Sequence, residues 1–103
     1  MKTLIITIII LISTNFCYAA SAKERVAFAE TYEYLSLSSG QDVTARAIGK
    51  DKTTFKLTYV LINRPFVHQM SNDMEFGRTM RQFGFKKVIL SNGYSNSWTL
   101  DYR

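Results

Sequence analysis

Two stretches of alternation and one of helical periodicity place this chain in the α+β class. Apolar residues alternate with polar ones over Asp42–Asn63 and again over Lys86–Arg103. Between them, Phe76, Met80 and Phe83 recur at i, i+4 and i+7, the spacing of one helical face. The expected order is an N-terminal helix, a β-hairpin, a central helix and a second hairpin. An antiparallel four-stranded sheet with the helices on one face is the arrangement predicted for these elements.

The 103-residue chain opens on a targeting pattern. Lys2 supplies the positive start, Leu4–Ile12 (LIITIIILI) an apolar run, and Ala19–Ala22 a cluster of small residues. Residues 1–22 therefore read as a signal peptide and 23–103 as one small domain. The cleavage site lies between Ala19 and Ala22: Ala20-Ser21-Ala22 favours a start at Lys23, and Cys17-Tyr18-Ala19 is the second option. The apolar run is shorter than the ~20 residues of a membrane-spanning helix, so no transmembrane span is expected after cleavage. Cys17, the only cysteine, is preceded by Asn15 and Phe16, not by the small residues that lipoprotein acylation wants. The exported chain is then cysteine-free, which excludes a disulfide framework, a thiol nucleophile and a Cys-ligated zinc site. An exported protein is expected, periplasmic in the first place and secreted in the second.

A chain beginning at Lys23 has 81 residues, enough for a single core of modest stability. Loss of Lys2 lowers the 13 basic side chains to 12 against 8 acidic ones, a net charge of +4.

Lys23–Leu37 carries helix formers and places Phe28, Tyr32 and Leu35 on one face, although Tyr32 and Tyr34 could alternate in a strand. A helix over Ala22–Leu37 is the reading adopted, ended by Ser38-Ser39-Gly40. In the first hairpin Val43, Ala45 and Ala47 share a face with Phe55, Leu57, Tyr59 and Leu61. The other face carries Thr44, Arg46, Thr54, Lys56 and Thr58, and Gly49–Lys52 makes the connection. Small alanines opposite large aromatics imply a helix packed closely over the sheet. Pro65 stops the second strand, and Arg64–Ser71 is a loop or a short helical turn.

Asn72 is the expected N-cap of the central helix, with Glu75 completing a capping box. Gly77 in its interior counts against it by about 1 kcal/mol. Arg78 and Arg81 suit the negative end of the helix dipole, and Gly84 suits a left-handed stop. Asn92-Gly93 favours a two-residue hairpin turn. That turn would place Trp98, Leu100 and Tyr102 on the wrong face of the strand holding Val88 and Leu90. Pairing Leu90 with Trp98 and Val88 with Leu100 corrects this and leaves Ser91–Ser97 (SNGYSNS) as a long polar loop. Met80, Phe83 and Trp98 are the expected core.

No catalytic constellation is legible. His68, the only histidine, sits beside no second ligand. Helix capping accounts for Asp73 with Glu75, and a solvated helix face for Glu30 with Glu33. Neither makes the cleft-spanning carboxylate pair of a glycosidase. P-loop, dinucleotide, HExxH and calcium-loop patterns are absent, and no cofactor or metal is expected. Two binding features remain. Tyr94, with Asn92 and Asn96 beside it, is a large aromatic in a Ser/Asn/Gly loop, the composition of adaptable recognition loops. Arg78, Arg81, Lys86 and Lys87 form the densest basic cluster, suited to an anionic lipid, a surface glycan or an acidic partner. Export disfavours nucleic acid. The sequence thus points to a small exported non-enzymatic protein-binding module, such as an inhibitor, an immunity or exclusion factor, or an accessory subunit. A cationic module on anionic envelope surfaces is the alternative, and a small secreted hydrolase ranks last.

Overall fold

The computed structural model describes residues 21–94 and 96–102. The leader expected over residues 1–20 lies outside them. The chain runs α1 (Ala22–Ser38), β1 (Val43–Ile48), a 3₁₀ turn (Lys50–Lys52), β2 (Thr54–Tyr59), α2 (Arg64–Ser71), α3 (Met74–Phe83), β3 (Lys87–Ser91) and β4 (Ser97–Asp101). The α+β class holds. The sheet order is β1-β2-β3-β4. It is mixed and not antiparallel throughout: β1–β2 and β3–β4 are antiparallel, but β2 and β3 run parallel, with Phe55 beside Val88 and Leu57 beside Leu90. Alternation decides which face a residue occupies and carries no information on strand direction. Direction is set by the crossover between β2 and β3, and here two helices fill it.

Helix α1 begins at a capping box. Ser21 Oγ accepts from the Glu24 N–H at 3.3 Å, and the Ser21 N–H donates to Glu24 Oε1 at 3.0 Å. Its inner side buries Phe28, Ala29 and Tyr32, and it packs on β1, where the small Ala45 lets it approach. The segment Arg64–Ser71 is a full helix. Asn63 caps it by accepting the Phe66 N–H at 3.0 Å, and Pro65 stands in its first turn, where a missing N–H costs nothing. Because α2 exists, Asn72 is its C-cap. The N-cap of α3 is Asp73, which accepts the Phe76 N–H at 2.9 Å. Glu75 bonds Arg78 at 2.7 Å instead of closing a capping box. Gly84 ends α3 in the left-handed region at φ 82°.

Gly77 has a packing role that offsets its weak helix propensity. A Cβ there would lie 3.3 Å from the Tyr102 ring and 3.1 Å from Arg81 Nη1. The end of the chain lies against α3 at this glycine, with Tyr102 edge-on to Phe76 and under the Arg81 guanidinium, 5.4 Å from the ring centre.

The inward residues of the strands, Val43, Ala45, Phe55, Leu57, Tyr59, Val88 and Leu90, join Phe66, Met70, Phe76, Met80 and Phe83 from the helices in one core. Phe28, Phe55, Phe83 and Phe85 stack within it at centroid distances of 4.3–5.8 Å. The other sheet face is polar and largely open to solvent through Thr44, Arg46, Lys56 and Lys87. The Leu90–Trp98 and Val88–Leu100 register is the one expected. Leu61 departs from the expected core, and Trp98 joins it only in part. Leu61 is exposed, since β2 ends at Tyr59. Trp98 is only half-buried on the edge strand β4, where it packs against the core.

Candidate functional site

The parallel pairing has a direct consequence for the surface. It brings the C-terminal ends of β2 and β3 together, with Thr58 beside Ser91. The turn after β2 and the Ser91–Ser97 loop after β3 therefore leave the sheet at the same end. A Cβ on Gly93 would lie 3.6 Å from the Thr58 methyl, so the loop rests against the end of β2. Three large apolar side chains are exposed here: Val60 at 55%, Leu61 at 47% and Tyr94 at 80%. Scattered exposed apolar residues are ordinary, but several at one end of a sheet suit an interaction surface.

Side chains hold the backbone of the loop in shape. Asn92 Oδ1 accepts the Tyr94 N–H at 2.9 Å, and Ser91 Oγ accepts the Gly93 N–H at 3.1 Å. Gly93 takes φ 86°, a left-handed conformation suited to glycine. The Asn92 N–H donates to the Asn96 carbonyl at 3.3 Å and closes the base of the loop. Tyr94 does not pack on its own hairpin. Asn96 lines a small open groove with Arg64, Ser97 and Trp98. A second groove continues from Arg64 and Trp98 along Val67, His68 and Ser71.

The basic residues do not form one patch. Arg78 and Arg81 lie on α3 and, with Met74 and Gln82, line an open depression of about 640 Å³. Arg78 is paired with Glu75, Arg81 lies over Tyr102, and only Arg81 falls in the last turn of α3. Lys87 points from the opposite, helix-free face of the sheet, across from Asp101 in β4. Lys86 is exposed at the entry to β3, where its N–H donates to the Thr53 carbonyl at 2.8 Å. Density in the sequence is not density in space, because the helix stop at Gly84 turns the chain between the two pairs.

Arg25, not singled out from the sequence, and Glu33, read there as part of a solvated face, both do defined work. Arg25 is 8% exposed. Its Nε donates to the carbonyls of Asp51 and Lys52 at 3.2 and 3.1 Å. Its Nη2 donates to Asp51 O at 2.8 Å, and its Nη1 to Phe83 O at 3.0 Å. It joins the start of α1 to the turn before β2 and to the end of α3. Glu33 does not sit on a merely solvated face. Its carboxylate accepts the Ala45 N–H at 2.9 Å and pairs with Arg46 at 2.6 Å, closing the outer edge of β1.

His68 is exposed on α2, 3.2 Å from the Asn72 side-chain nitrogen. No cluster of three or more His, Cys, Asp or Glu side chains able to hold a metal occurs among the described residues. No helix among them is long and apolar enough to cross a membrane. No family model matches this chain, and no curated protein or solved structure gives a significant match to it.

Proposed function

We propose that this chain is a small exported binding module that occupies a protein partner in the cell envelope, as an inhibitor, an immunity or exclusion factor, or an accessory subunit would. The observation that carries the reading is the exposure of Tyr94 on a loop whose backbone is held by Asn92 and Ser91. A rigid aromatic loses little freedom on binding, and tyrosine is enriched among residues that dominate interface energies. Val60 and Leu61 extend the apolar surface at the same end of the sheet. Pull-down of the purified protein from envelope extract identifies the partner. Tyr94→Ala should then weaken binding by at least about 1 kcal/mol with the melting temperature nearly unchanged. Arg78→Ala should do less. A Tyr94→Ala variant that loses stability and affinity together defeats the loop as a recognition element.

Export rests on the leader pattern of residues 1–22, and the two candidate cleavage sites differ in what they leave at the start of α1. Removal of Ser21 would cost the helix both capping hydrogen bonds and the Arg25 N–H bond to the Ser21 carbonyl. Loss of an N-cap costs about 0.5–2 kcal/mol. Cleavage after Ala19 keeps the cap, and cleavage after Ala22, giving the expected start at Lys23, removes it. Intact-mass measurement of the exported protein decides between them, and retention of Leu4–Ile12 would defeat export by this route.

The second reading, a cationic module on anionic lipid or glycan, draws on the open depression beside Arg78 and Arg81. Salt separates the two: a surface-charge contact should release at moderate ionic strength, and an aromatic contact should persist.

A further inference from the structure

The two edges of the sheet are treated differently. On β1 the Ala45 N–H points away from β2, because Glu33 accepts it. The pleat then turns the Val43 N–H outward as well, and the Gln41 carbonyl accepts it at 3.0 Å. Two successive outward donors of this edge are thus occupied, a recognised way to stop a sheet from growing.

On β4 the outward groups follow from the hydrogen bonds that flank the β3–β4 ladder. The Tyr102 N–H donates to Lys86 O at 2.8 Å, and the Asn92 N–H to Asn96 O. In an antiparallel ladder, hydrogen-bonded pairs alternate with non-bonded ones. Val88 with Leu100 and Leu90 with Trp98 are therefore bonded pairs, and Ser97, Thr99 and Asp101 turn their N–H and C=O groups outward. No acceptor among the described residues takes the Ser97 or Thr99 N–H. Beside this edge runs the open groove lined by Arg64, Val67, His68, Ser71 and the half-buried Trp98.

We infer that a second copy of this chain pairs on this edge, β4 against β4, antiparallel about a two-fold axis at Thr99. The strand is self-complementary in that register. Thr99 meets Thr99 and Ser97 meets Asp101 of the second copy, so the outward-pointing residues of each strand face those of the other. The Thr99 pair exchanges two main-chain hydrogen bonds. On the helix-covered face, Trp98 meets Leu100 of the second copy, and the groove beside Trp98 receives it. On the open face, hydroxyls meet hydroxyls or a carboxylate, and no like charges are opposed. A shift by one residue would set outward groups against residues whose main chain is committed to β3, and would turn Trp98 and Leu100 to the wrong face. The two sheets become one of eight strands. Closed two-fold pairing also uses up the edge that would otherwise invite open-ended growth. The inference does not depend on the Tyr94 loop.

Sedimentation equilibrium across a wide concentration range tests it. The contact is small, so the mass should rise toward twice the monomer's in the micromolar to millimolar range. Thr99→Pro removes an outward N–H while leaving the bonds to β3 in place, and proline is tolerated on edge strands. Thr99→Lys opposes two positive charges across the axis. Each should weaken association at least ~10-fold, and Tyr94→Ala should leave it intact. Where Thr99→Pro disturbs the fold by circular dichroism, Thr99→Lys decides. A wild-type chain that stays monomeric to millimolar concentration, or a dimer that both Thr99 variants keep, overturns the inference.

Discussion

Replacing Arg25 should destabilise the fold at the end of the sheet it ties together. In Arg25→Ala three carbonyls lose a charged donor. Those of Asp51 and Lys52 belong to exposed residues and can turn to water. The Phe83 carbonyl receives its Arg25 bond in the buried interior, and hydrogen bonds involving a charged group contribute about 1.5–3 kcal/mol. The arginine also holds a turn in which Asp51 and Lys52 both take positive φ, 59° and 55°. Such conformations cost on the order of 1–3 kcal/mol each and persist only when their surroundings enforce them. Freed, the turn relaxes and returns part of that strain. The net loss is about 1–2 kcal/mol, against about 4–12 kcal/mol of total stability for a domain near 80 residues. At about 4–8 °C per kcal/mol, the melting temperature should fall by about 4–16 °C. Arg25→Lys cannot reach both the turn and the helix end and should recover only part of the loss. Urea unfolding followed by Trp98 fluorescence and by circular dichroism measures it. A second substitution isolates the cause. Gly84→Ala is strained by φ 82°, and its Cβ would stand 2.8 Å from Arg25 Nη1. In the Arg25→Ala background only the backbone strain remains, so the two losses should be less than additive. Additive losses, or a change in Arg25→Ala below about 0.5 kcal/mol, would refute the role assigned to the guanidinium.

Met80 is fully buried between α3 and the sheet, and Met80→Ala should cost about 2–5 kcal/mol by chemical denaturation; an unchanged midpoint would show the helix face to be misassigned. Stability should also fall at alkaline pH. Burial pushes the Tyr32 phenol far above its usual value of 10.0. It pushes Tyr102 to about 12, with Arg81 opposing the shift and Asp73 adding to it. The folded chain then keeps phenol protons that the unfolded chain releases. The stabilisation is complete below about pH 10 and is lost as pH rises toward 12. Urea midpoints at a series of pH values should decline through that window, and less steeply in Tyr102→Phe.

What could be read from the sequence was what depends on side-chain type at short range. The Leu90–Trp98 register followed from alternation, and the left-handed stop at Gly84 followed from glycine after an amphipathic run. Asn72 and Asp73 are both good caps one residue apart, so choosing between them required knowing that α2 precedes α3. That helix had its own signals in Asn63 and Pro65. Proline after a strand, however, reads equally well as a strand stop, and here it does not stop β2, which ends at Tyr59 well before the helix that Pro65 opens. The roles of Arg25 and Glu33 were hidden for another reason. Arg25 bonds main-chain carbonyls up to 58 residues away, and Glu33 an amide 12 residues away. Backbone groups have no residue identity, so nothing in the local pattern marks them as partners. Of the proposed binding residues, Tyr94 and Asn92 could be placed together because they share one loop, whereas Arg81 and Lys87 lie on different faces despite their closeness in sequence.

The parallel pairing of β2 and β3 links the fold to the proposed function. Had the two strands run antiparallel, the turn carrying Leu61 and the loop carrying Tyr94 would leave opposite ends of the sheet. Parallel strands put both C-terminal ends on one side, the side at which open α/β sheets place their ligands. The N-terminal ends come together on the other side, where Arg25 bonds the turn before β2 and the helix end before β3. The Lys86 N–H to Thr53 carbonyl bond lies at the same end. One end of the sheet is thus tied by long-range bonds from a buried cation. The other carries exposed apolar side chains on short connections held by local Ser and Asn bonds. Under the proposed function, stability and recognition would draw on different residues at opposite ends of the sheet.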